Sequence, residues 1–317
     1  MSIYEGLEPI DLSKITTYEL ASRPSKVTVD EFARAPAEND SLREFLAKLP
    51  SILAVESLRE LATRVRRARD LKKPIIWGIG GHVVKTGLAP LLIDLMDRGL
   101  VTAIACNGSV LVHDSEIARV GFTSEDVDAT LGEGDFGAAK ETGELLNNAA
   151  KAAVNEGIGL GEAMSRATET LDPPFAAKSL LCAAAKRRLP VTAHITIGAD
   201  IGHFHPGADG AALGGASHTD FRLLCSLVQK MNGGGVYINY GSAVVMPEIF
   251  LKGVTVVRNL GYELTNITTA NFDFIQHYRP LTNVVRRPTA NGAGKGFSIT
   301  GHHELTLPLF AAHLIRE

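Results

Sequence analysis

The sequence has few cysteines, few aromatic residues and almost no net charge. Its 317 residues include 3 cysteines, 6% aromatic residues and a formal net charge of −3 at pH 7. The small charge argues against a general nucleic-acid binder, because such proteins carry basic surfaces that contact phosphates. The cysteines are odd in number, far apart and set among apolar residues, which favours reduced, buried thiols over a disulfide framework. Low aromatic content with abundant alanine and glycine is typical of packed helix and sheet layers.

Long apolar runs are also missing. No stretch approaches the ~18 residues that a membrane-spanning helix needs. The first residues, "MSIYEGLEPIDLSK", do not place a basic segment before an apolar one, as a secretory signal peptide does. We therefore expect a cytoplasmic protein that does not bind membranes or nucleic acid and whose partner is a small molecule.

The first 73 residues differ in character from the rest of the chain. Up to about residue 40 they are polar and interrupted by Pro24 and Pro36, which predicts an arm with a short helix that packs on a neighbouring subunit. Two segments with leucines at helical spacing follow. We divide the chain into a main domain, residues 74–317, and this arm with its helices, residues 1–73, which we expect to pack on the main domain.

From residue 74 onward, apolar segments typical of strands alternate with segments of helical periodicity. The pattern predicts five or six strands, each followed by a helix. An uninterrupted helix is expected from His82 to Gly99, and a loop from Ile275 to Gly294. Strands that alternate with helices form a parallel sheet covered on both faces. The predicted fold class is therefore α/β: a Rossmann-like, three-layer α/β/α domain with a mainly parallel sheet and a helical N-terminal arm.

Ligands of such sheets bind at the carboxyl ends of the strands, and polar residues gather there in this sequence. The first strand runs into "GIGGHV", in which Gly78 and Gly80 match a dinucleotide-binding fingerprint but Val83 stands in place of the last glycine. A tight turn without a ligand is an equally good interpretation. Lys85 favours a phosphate or carboxylate ligand at this turn. Without a bound anion, a cation near the amino end of a helix would oppose the helix dipole.

A His–Asp pair follows the second strand. The segment "CNGSVLVHD" begins a helix whose first amides are available to an anion, and it places His113 beside Asp114. Histidine changes its charge near neutral pH and so moves protons in many active sites, although a structural hydrogen-bonded pair is the commoner arrangement. We predict His113 as a catalytic residue.

The segment "GADIGHFH" brings Asp200, His203 and His205 close together. In one interpretation Asp200 orients a cofactor ribose or polarises the substrate, and His203 moves protons. In the alternative, these residues and Glu248 hold a divalent metal such as zinc for a hydrolase or lyase, because alternate residues of an extended chain point the same way. A polar loop whose histidines bond the backbone is the structural alternative.

Lys295 stands in a glycine-rich turn at the start of the last predicted strand. A lysine near apolar walls loses its proton readily and can attack a carbonyl or imine carbon. A solvated surface lysine is the alternative interpretation. We predict a catalytic role for Lys295.

Taken together, these segments resemble the deoxyhypusine synthase family from about Pro74 to Ala312. The segments "IIWGIGGHVVKTGLAPLLIDLMDRGLV" and "IACNGSVLVHDSEIARVG" are similar to the first two strand–turn–helix units of the family. "GSAVVMPEIF", "TTANFD" and "FSITGHHELTLPLFAA" are similar to its later segments and follow in the same order. The resemblance implies a Rossmann-like sheet, NAD bound at a dimer interface, and assembly of dimers into a homotetramer.

The resemblance also implies which residues contact NAD. They are Gly81, His82, Val83, Cys106, Asn107, Gly108, Asp114, Gly241, Thr269, Ala270, His302 and His303. Members of the family oxidise spermidine, hold its aminobutyl group on a lysine as an imine, and pass the group to a lysine of a translation factor.

Several residues depart from the family pattern. Residues 246–248 stand where the family has a lysine and histidines for spermidine, and Lys295 is the only lysine near the expected nucleophile. The arginines at 279, 286 and 287 suit an acidic ligand better than an amine. We therefore predict an NAD-dependent enzyme that oxidises a C–N or C–O centre, with group transfer through Lys295 as an option and deoxyhypusine synthesis not expected. A non-catalytic binding protein on the same fold is the remaining alternative.

Overall fold

The computed structural model describes residues 4–315. The chain divides into two compact units at the Ile52–Leu53 boundary. The helix that follows this boundary lies in the predicted segment 1–73, whose helices were expected to pack on the main domain. It belongs to the second unit, because its apolar residues Leu61 and Val65 are part of the core over the sheet.

The first unit is largely irregular. Its helix α1 (Leu42–Lys48) begins with a capping box, in which Glu44 N–H donates to Ser41 Oγ at 3.3 Å and Ser41 N–H donates to Glu44 Oε2 at 2.8 Å. Large apolar side chains between residues 7 and 32 are exposed, and Ile10 keeps 84% of its surface accessible. Exposed apolar surface of this extent is typical of interaction segments.

The second unit contains six parallel strands in the order β3-β2-β1-β4-β5-β6. They are β1 (Ile75–Ile79), β2 (Ala103–Asn107), β3 (Val191–His194), β4 (Val236–Tyr240), β5 (Thr268–Asp273) and β6 (Lys295–Thr300). Trp77 of β1 pairs with Ile104 on one side and with Ile238 on the other. The strand order reverses between β1 and β4, and ligands of open α/β sheets bind in the crevice at such a point.

Helices cover both faces of this sheet. They are α2 (Leu53–Asp70), α3 (Gly81–Lys85), α4 (Ala89–Asp97), α5 (Gly108–Val120), α6 (Val127–Thr130), α7 (Lys140–Glu156), α8 (Leu160–Thr170), α9 (Leu180–Arg187), α10 (Gly210–Lys230), α11 (Val245–Asn259) and α12 (His303–Ile315). A π-helical turn, Pro280–Arg286, lies between β5 and β6.

Two apolar clusters form the core of this unit, one on each face of the sheet. Trp77 and Tyr240 belong to the cluster under α2, α4, α5 and α12. Ile76 and Tyr237 belong to the cluster under α10 and α11. Because both faces are covered, every residue of β1, β3, β4 and β5 is buried. The predicted three-layer α/β/α fold with a parallel sheet is confirmed.

A buried pair of amides interrupts the apolar face of β4 and β5. Asn239 and Asn271 are partners in the register of the two strands, and Asn239 Nδ2 donates to Asn271 Oδ1 at 2.6 Å. Asn271 Nδ2 donates in turn to Gln276 Oε1 at 2.8 Å. This chain of amides lies inside the sheet, and Asn239 Oδ1 has no hydrogen-bond partner among the described residues.

Two predicted elements differ from the structure. The helix expected from His82 to Gly99 is divided into α3 and α4, because Gly87 has a φ of +76° and turns the chain before Pro90 begins the next helix. The loop expected from Ile275 to Gly294 contains the π-helical turn, whose residues Thr282, Asn283 and Val284 are buried.

Two predictions made from the composition concern membrane-spanning helices and the state of the cysteines. Within residues 4–315, no helix has the length and apolar character needed to cross a membrane. Cys106, Cys182 and Cys225 are free and buried, as predicted.

Candidate functional site

Two glycine turns meet where the strand order reverses. Gly80 N–H, after β1, donates to Tyr240 O at 3.0 Å, and Gly241 N–H, after β4, donates to Phe272 O at 3.2 Å. A Cβ on Gly80 would collide with the carbonyl group of Gly241. Gly241 has a φ of +67°, and a Cβ there would lie 2.8 Å from the ring of His303. Only glycine fits these positions, so the main chain of both turns forms the floor of the crevice.

On the side of β1, β2 and β3, the strand ends border a cavity of ≈ 180 Å³. We call it the first cavity; its lining includes Lys85, Ser109, His113 and Asp200. A Cβ on Gly81 would collide with the Ser109 hydroxyl, so the turn after β1 and the start of α5 are in close contact. A second cavity of ≈ 440 Å³ shares Glu116, Ser124 and Glu125 with it.

The carboxylate of Asp200 lies against the first turn of α5. It fills the space that a Cβ on Gly108 would need. Nε2 of His203 is 3.9 Å from Oδ2 of Asp200, and Nδ1 of His203 accepts from Gly198 N–H at 3.0 Å. Burial raises the pKa of Asp200, and the neighbouring His203 opposes this shift. The structure thus brings the predicted pair Asp200 and His203 together at the edge of the crevice.

Asn107 ends β2, where dinucleotide-binding folds place the group that binds a ribose hydroxyl. Its Oδ1 is buried and has no hydrogen-bond partner among the residues that the structure describes. A buried acceptor without a donor costs about 1–3 kcal/mol. A ligand hydroxyl would satisfy this oxygen, so the position fits a nucleotide ribose.

His113 lines the first cavity and belongs to a chain of hydrogen bonds. Its Nδ1 is 2.7 Å from Thr123 Oγ1, and the Thr123 hydroxyl donates to Glu116 Oε2. Burial, aided by the charge of Lys85, lowers the pKa of His113 to about 4. The imidazole is therefore neutral at pH 7. Neither Thr123 nor Glu116 was predicted, because their importance depends on contacts that the sequence does not indicate.

Asp114 does not act with His113. Its carboxylate is fully buried and accepts from Ser179 Oγ at 2.5 Å, Leu180 N–H at 2.7 Å and Leu181 N–H at 2.9 Å. Burial raises the pKa of Asp114 to about 6, and the three donors oppose this shift. The predicted cofactor contact is corrected: Asp114 holds the amino end of α9.

Four aromatic rings meet at the ends of β1, β5 and β6. We call them the ring cluster: His82, Phe274, His302 and His303. The ring centroids of His82 and His303 are 5.2 Å apart, and those of Phe274 and His302 are stacked at 5.7 Å. The ring cluster brings together predicted residues from two strand ends: His82 after β1, and His302 and His303 after β6.

His303 is the buried member of the ring cluster, with 1% of its surface accessible. Neither ring nitrogen makes a hydrogen bond of ordinary geometry within the described chain. Its Nε2 is 3.8 Å from Oδ1 of Asp273, the last residue of β5. Burial lowers the pKa of His303, Asp273 opposes the shift, and His82 adds to it. The acidic strand end "TTANFD" was the available sequence signal for Asp273 and Phe274, which the prediction did not single out.

Lys295 lies at the amino ends of the strands, on the side of the sheet away from the crevice. It is the first residue of β6 and forms an exposed ion pair with Glu60 of α2. The carboxyl end of β6 is five residues further, or about 16 Å at the rise of a strand. Lys295 therefore does not reach the crevice. Thr269, Ala270 and Cys106 are buried within their strands, before the strand ends.

The alternative metal ligands are not brought together. Nε2 of His205 is 2.9 Å from the carbonyl oxygen of Gly137, and Glu248 accepts from Lys252 at 2.8 Å. Throughout residues 4–315, no three His, Cys, Asp or Glu side chains are arranged to hold a metal ion. Arg279 is paired with Glu248 at 3.3 Å, so part of the expected positive charge is neutralised.

Comparisons with known proteins agree with the fold. No family model and no curated protein sequence matches the chain. A putative deoxyhypusine synthase from Entamoeba histolytica has a TM-score of 0.51 and 11% identity, over 87% of this chain and 93% of that protein. A conserved putative LOR/SDH protein from Methanococcus maripaludis S2 has a TM-score of 0.53 and 15% identity, over 83% and 70% of the two chains.

A third structure was determined with ligands. AgrE in a ternary complex with ornithine and NAD⁺ has a TM-score of 0.52 and 15% identity, over 81% of this chain and 32% of AgrE. The chain thus spans about a third of the length of AgrE, and likewise of the arginine dihydrolase ArgZ, at 33%. At these identities the likeness shows a shared fold, that of the predicted deoxyhypusine synthase-like domain.

Proposed function

We propose that the chain is an enzyme that binds NAD in the crevice between β1 and β4 and oxidises a C–O or C–N centre of a small molecule. The observation that carries the proposal is that two of the buried polar groups without a hydrogen-bond partner among the described residues, Asn107 Oδ1 and the imidazole of His303, lie on the two sides of this crevice. Such groups are rare in proteins unless a ligand satisfies them. When bound, NAD supplies an acceptor for hydride.

The two sides of the crevice would hold different parts of the nucleotide. Amides in the turn after β1 suit the phosphates, because the amino end of α5 already faces the Asp200 carboxylate. Asn107 and Asp200 would bind the ribose of the adenosine half, because they lie at the ends of β2 and β3. Gly241 and the ring cluster, on the side of β4, β5 and β6, would then hold the nicotinamide half. AgrE, which shares the fold, was crystallised with NAD⁺.

His303 and Asp273 are the residues we assign to proton movement. Burial keeps His303 neutral at neutral pH, so a ring nitrogen is available to take the proton that an alcohol or an ammonium group loses on oxidation. The Asp273 carboxylate at 3.8 Å stabilises the protonated ring. Phe274 and His302 stack beside them at the surface of this side of the crevice.

Group transfer through a lysine imine is not included in the proposal. Lys295 lies at the amino edge of the sheet with Glu60, and no lysine lines the first cavity except Lys85. The same observation favours a second candidate function, a protein that binds NAD without catalysing a reaction.

Isothermal titration calorimetry with NAD⁺ and NADH tests the binding half. We expect His303→Gln to weaken binding by about 10-fold, since a hydrogen bond to a buried group is lost. His218→Gln, an exposed histidine of α10, is the matched control and should bind within about 2-fold of the parent protein. The absence of any binding by the parent protein would contradict the proposal.

Absorbance of NADH separates the enzyme from the binding protein. The parent protein would be incubated with NAD⁺ and a panel of small alcohols, amines and amino acids. Formation of NADH that His303→Gln abolishes and His218→Gln retains supports the enzyme. Tight binding of NAD⁺ without turnover of any substrate supports the second candidate.

A further inference from the structure

The hydrogen bonds around His113 determine which of its ring nitrogens carries the proton. An ionised carboxylate only accepts, so Glu116 takes one hydrogen from each of two hydroxyls. Thr142 Oγ1 donates to Glu116 Oε1 at 2.9 Å, and Thr123 Oγ1 donates to Oε2. The single hydroxyl hydrogen of Thr123 is thereby used. At 2.7 Å from His113 Nδ1, the Thr123 oxygen must accept, and Nδ1 must carry the hydrogen.

The other ring nitrogen, Nε2, is then a bare acceptor. The ring of His113 lines the first cavity, and its Cδ2, which is bonded to Nε2, lies 3.2 Å from the position that a Cβ on Gly81 would take. This edge of the ring therefore faces the turn after β1, at the border of the crevice. The neutral form that this arrangement requires agrees with the lowered pKa of His113.

Carboxylates outnumber cations in the lining of the first cavity. The Asp200 carboxylate and the ring of His113 both line it, beside Glu116 and Glu125, whose carboxylates already accept hydrogen bonds within the chain. Lys85, from α3, is the cation among the residues that line it. A ligand that fills this cavity is recognised through groups that donate hydrogen bonds, such as hydroxyl or amino groups.

We propose that Thr123 and Glu116 are positioning residues that hold His113 as an acceptor, and that the first cavity takes a hydroxyl or amino group of the bound nucleotide, which donates to Nε2 of His113. The identity of this ligand rests on the function proposed above. The tautomer of His113 does not, because it follows from hydrogen bonds within the chain.

Nitrogen NMR of the full chain with labelled histidine tests the tautomer. His113→Gln identifies the His113 signals by their loss. We expect a protonated Nδ1 and an unprotonated Nε2 in the parent protein and in Thr123→Ser, which keeps the hydroxyl. Thr123→Val should lose this preference, while Thr255→Val, the same change at an exposed site on α11, should keep it. A protonated Nε2 in the parent protein, or no effect of Thr123→Val, would overturn the positioning role.

Addition of NAD⁺ tests the ligand. We expect the Nε2 signal of His113 to move on saturation, and Thr123→Val to weaken the calorimetric affinity by about 5–10-fold, as for the loss of one hydrogen bond. Thr123→Ser should bind within about 2-fold of the parent protein. If NAD⁺ binds and the Nε2 signal does not move, only the proposal that the first cavity takes a group of the nucleotide is overturned. Absence of NAD⁺ binding overturns the proposed function and the ligand together, and the Thr123 variants still decide the tautomer.

Discussion

The carboxylate of Asp200 stands where a side chain on Gly108 would begin. The amino end of α5 thus already has an anion from the protein itself, in the position that the helix dipole favours. A phosphate of the bound nucleotide is therefore left to the turn after β1. Because of this contact, a side chain at position 108 would displace the carboxylate of Asp200. The resulting loss of stability can be measured.

Gly108→Ala should destabilise the protein by about 1–3 kcal/mol, because the new methyl group collides with a buried carboxylate. Gly214→Ala is the matched control. Gly214 lies within α10 with open space around it, so alanine there should raise the free energy of unfolding by up to about 1 kcal/mol. Urea unfolding of both variants, followed by the fluorescence of the single tryptophan, Trp77, measures the difference. Equal effects of the two substitutions would contradict the contact.

Asp114→Ala should cost stability and leave NAD⁺ affinity unchanged. The substitution leaves the Ser179 hydroxyl and the amides of Leu180 and Leu181 buried without their acceptor, and we expect a loss of about 2–4 kcal/mol. Urea unfolding gives the loss, and calorimetry at a temperature where the variant is folded gives the affinity. A selective loss of NAD⁺ binding with normal stability would restore Asp114 to the cofactor site.

The stability of the protein should depend on pH through Asp220. Its buried carboxylate accepts from Gly161 N–H at 2.8 Å and Ala193 N–H at 2.9 Å, and burial raises its pKa to about 7, against the effect of these donors. The folded state therefore holds a proton that the unfolded state releases above about pH 4. This contribution to stability is fully present below about pH 4 and is lost as the pH rises through about 7.

Asp220→Asn removes this titration and keeps the shape of the side chain. Relative to the parent protein, its free energy of unfolding should rise with pH between about 4 and 7, by at most about 1.4 kcal/mol per pH unit. His113 and His194, with pKa values lowered to about 4 chiefly by burial, titrate in the opposite sense in both proteins and cancel in the difference. Urea unfolding at several pH values gives the difference, which should stay flat for the control Asp128→Asn, an exposed site on α6.

Lys295→Ala should have little effect. An exposed ion pair contributes about 0–1 kcal/mol, and Lys295 does not approach the crevice. We expect NAD⁺ affinity and any NADH-forming activity within about 2-fold of the parent protein. Complete loss of activity with normal NAD⁺ binding would instead support the lysine imine that the family resemblance implies.

The exposed apolar side chains of the first unit lead to a proposal about self-association. We expect the protein to form dimers or tetramers through this surface, because isolated patches of this kind are rarely left to water. The triple variant Ile10→Glu, Leu20→Glu and Val29→Glu should lower the mass measured by light scattering. The matched control is three glutamates at already polar, exposed positions of the same unit, Ser25, Lys26 and Asn39. An unchanged mass in the triple variant would exclude this surface.

The sequence predicted the sheet well because β1 to β5 are buried on both faces. Segments such as Ile75–Ile79 are apolar throughout, and a glycine ends the helix after β2, where Gly121 has a φ of +79°. The division between α3 and α4 was missed, because the residues on either side of Gly87 continue the apolar periodicity of a single helix. The π-helical turn was missed because its seven residues are too few to show a period.

Part of the candidate site could be predicted from the sequence. Roles that depend on partners far away along the chain could not. Ligands of parallel sheets bind at the carboxyl ends of the strands. This rule selects the strand ends as the candidate site, at Gly81, Asn107, Asp200, Gly241 and His303. The role of Asp114 depends on Ser179, 65 residues later, and that of Lys295 depends on Glu60, 235 residues earlier. A residue's neighbours in sequence do not reveal such partners.

The paired amides of Asn239 and Asn271 have a consequence for folding. A shift of one residue between β4 and β5 would separate them and leave each amide facing apolar side chains, at a cost of about 1–3 kcal/mol for each unsatisfied group. Wholly apolar strands would tolerate such slippage far better. These two side chains therefore favour the native register of β4 and β5, which border the same side of the crevice.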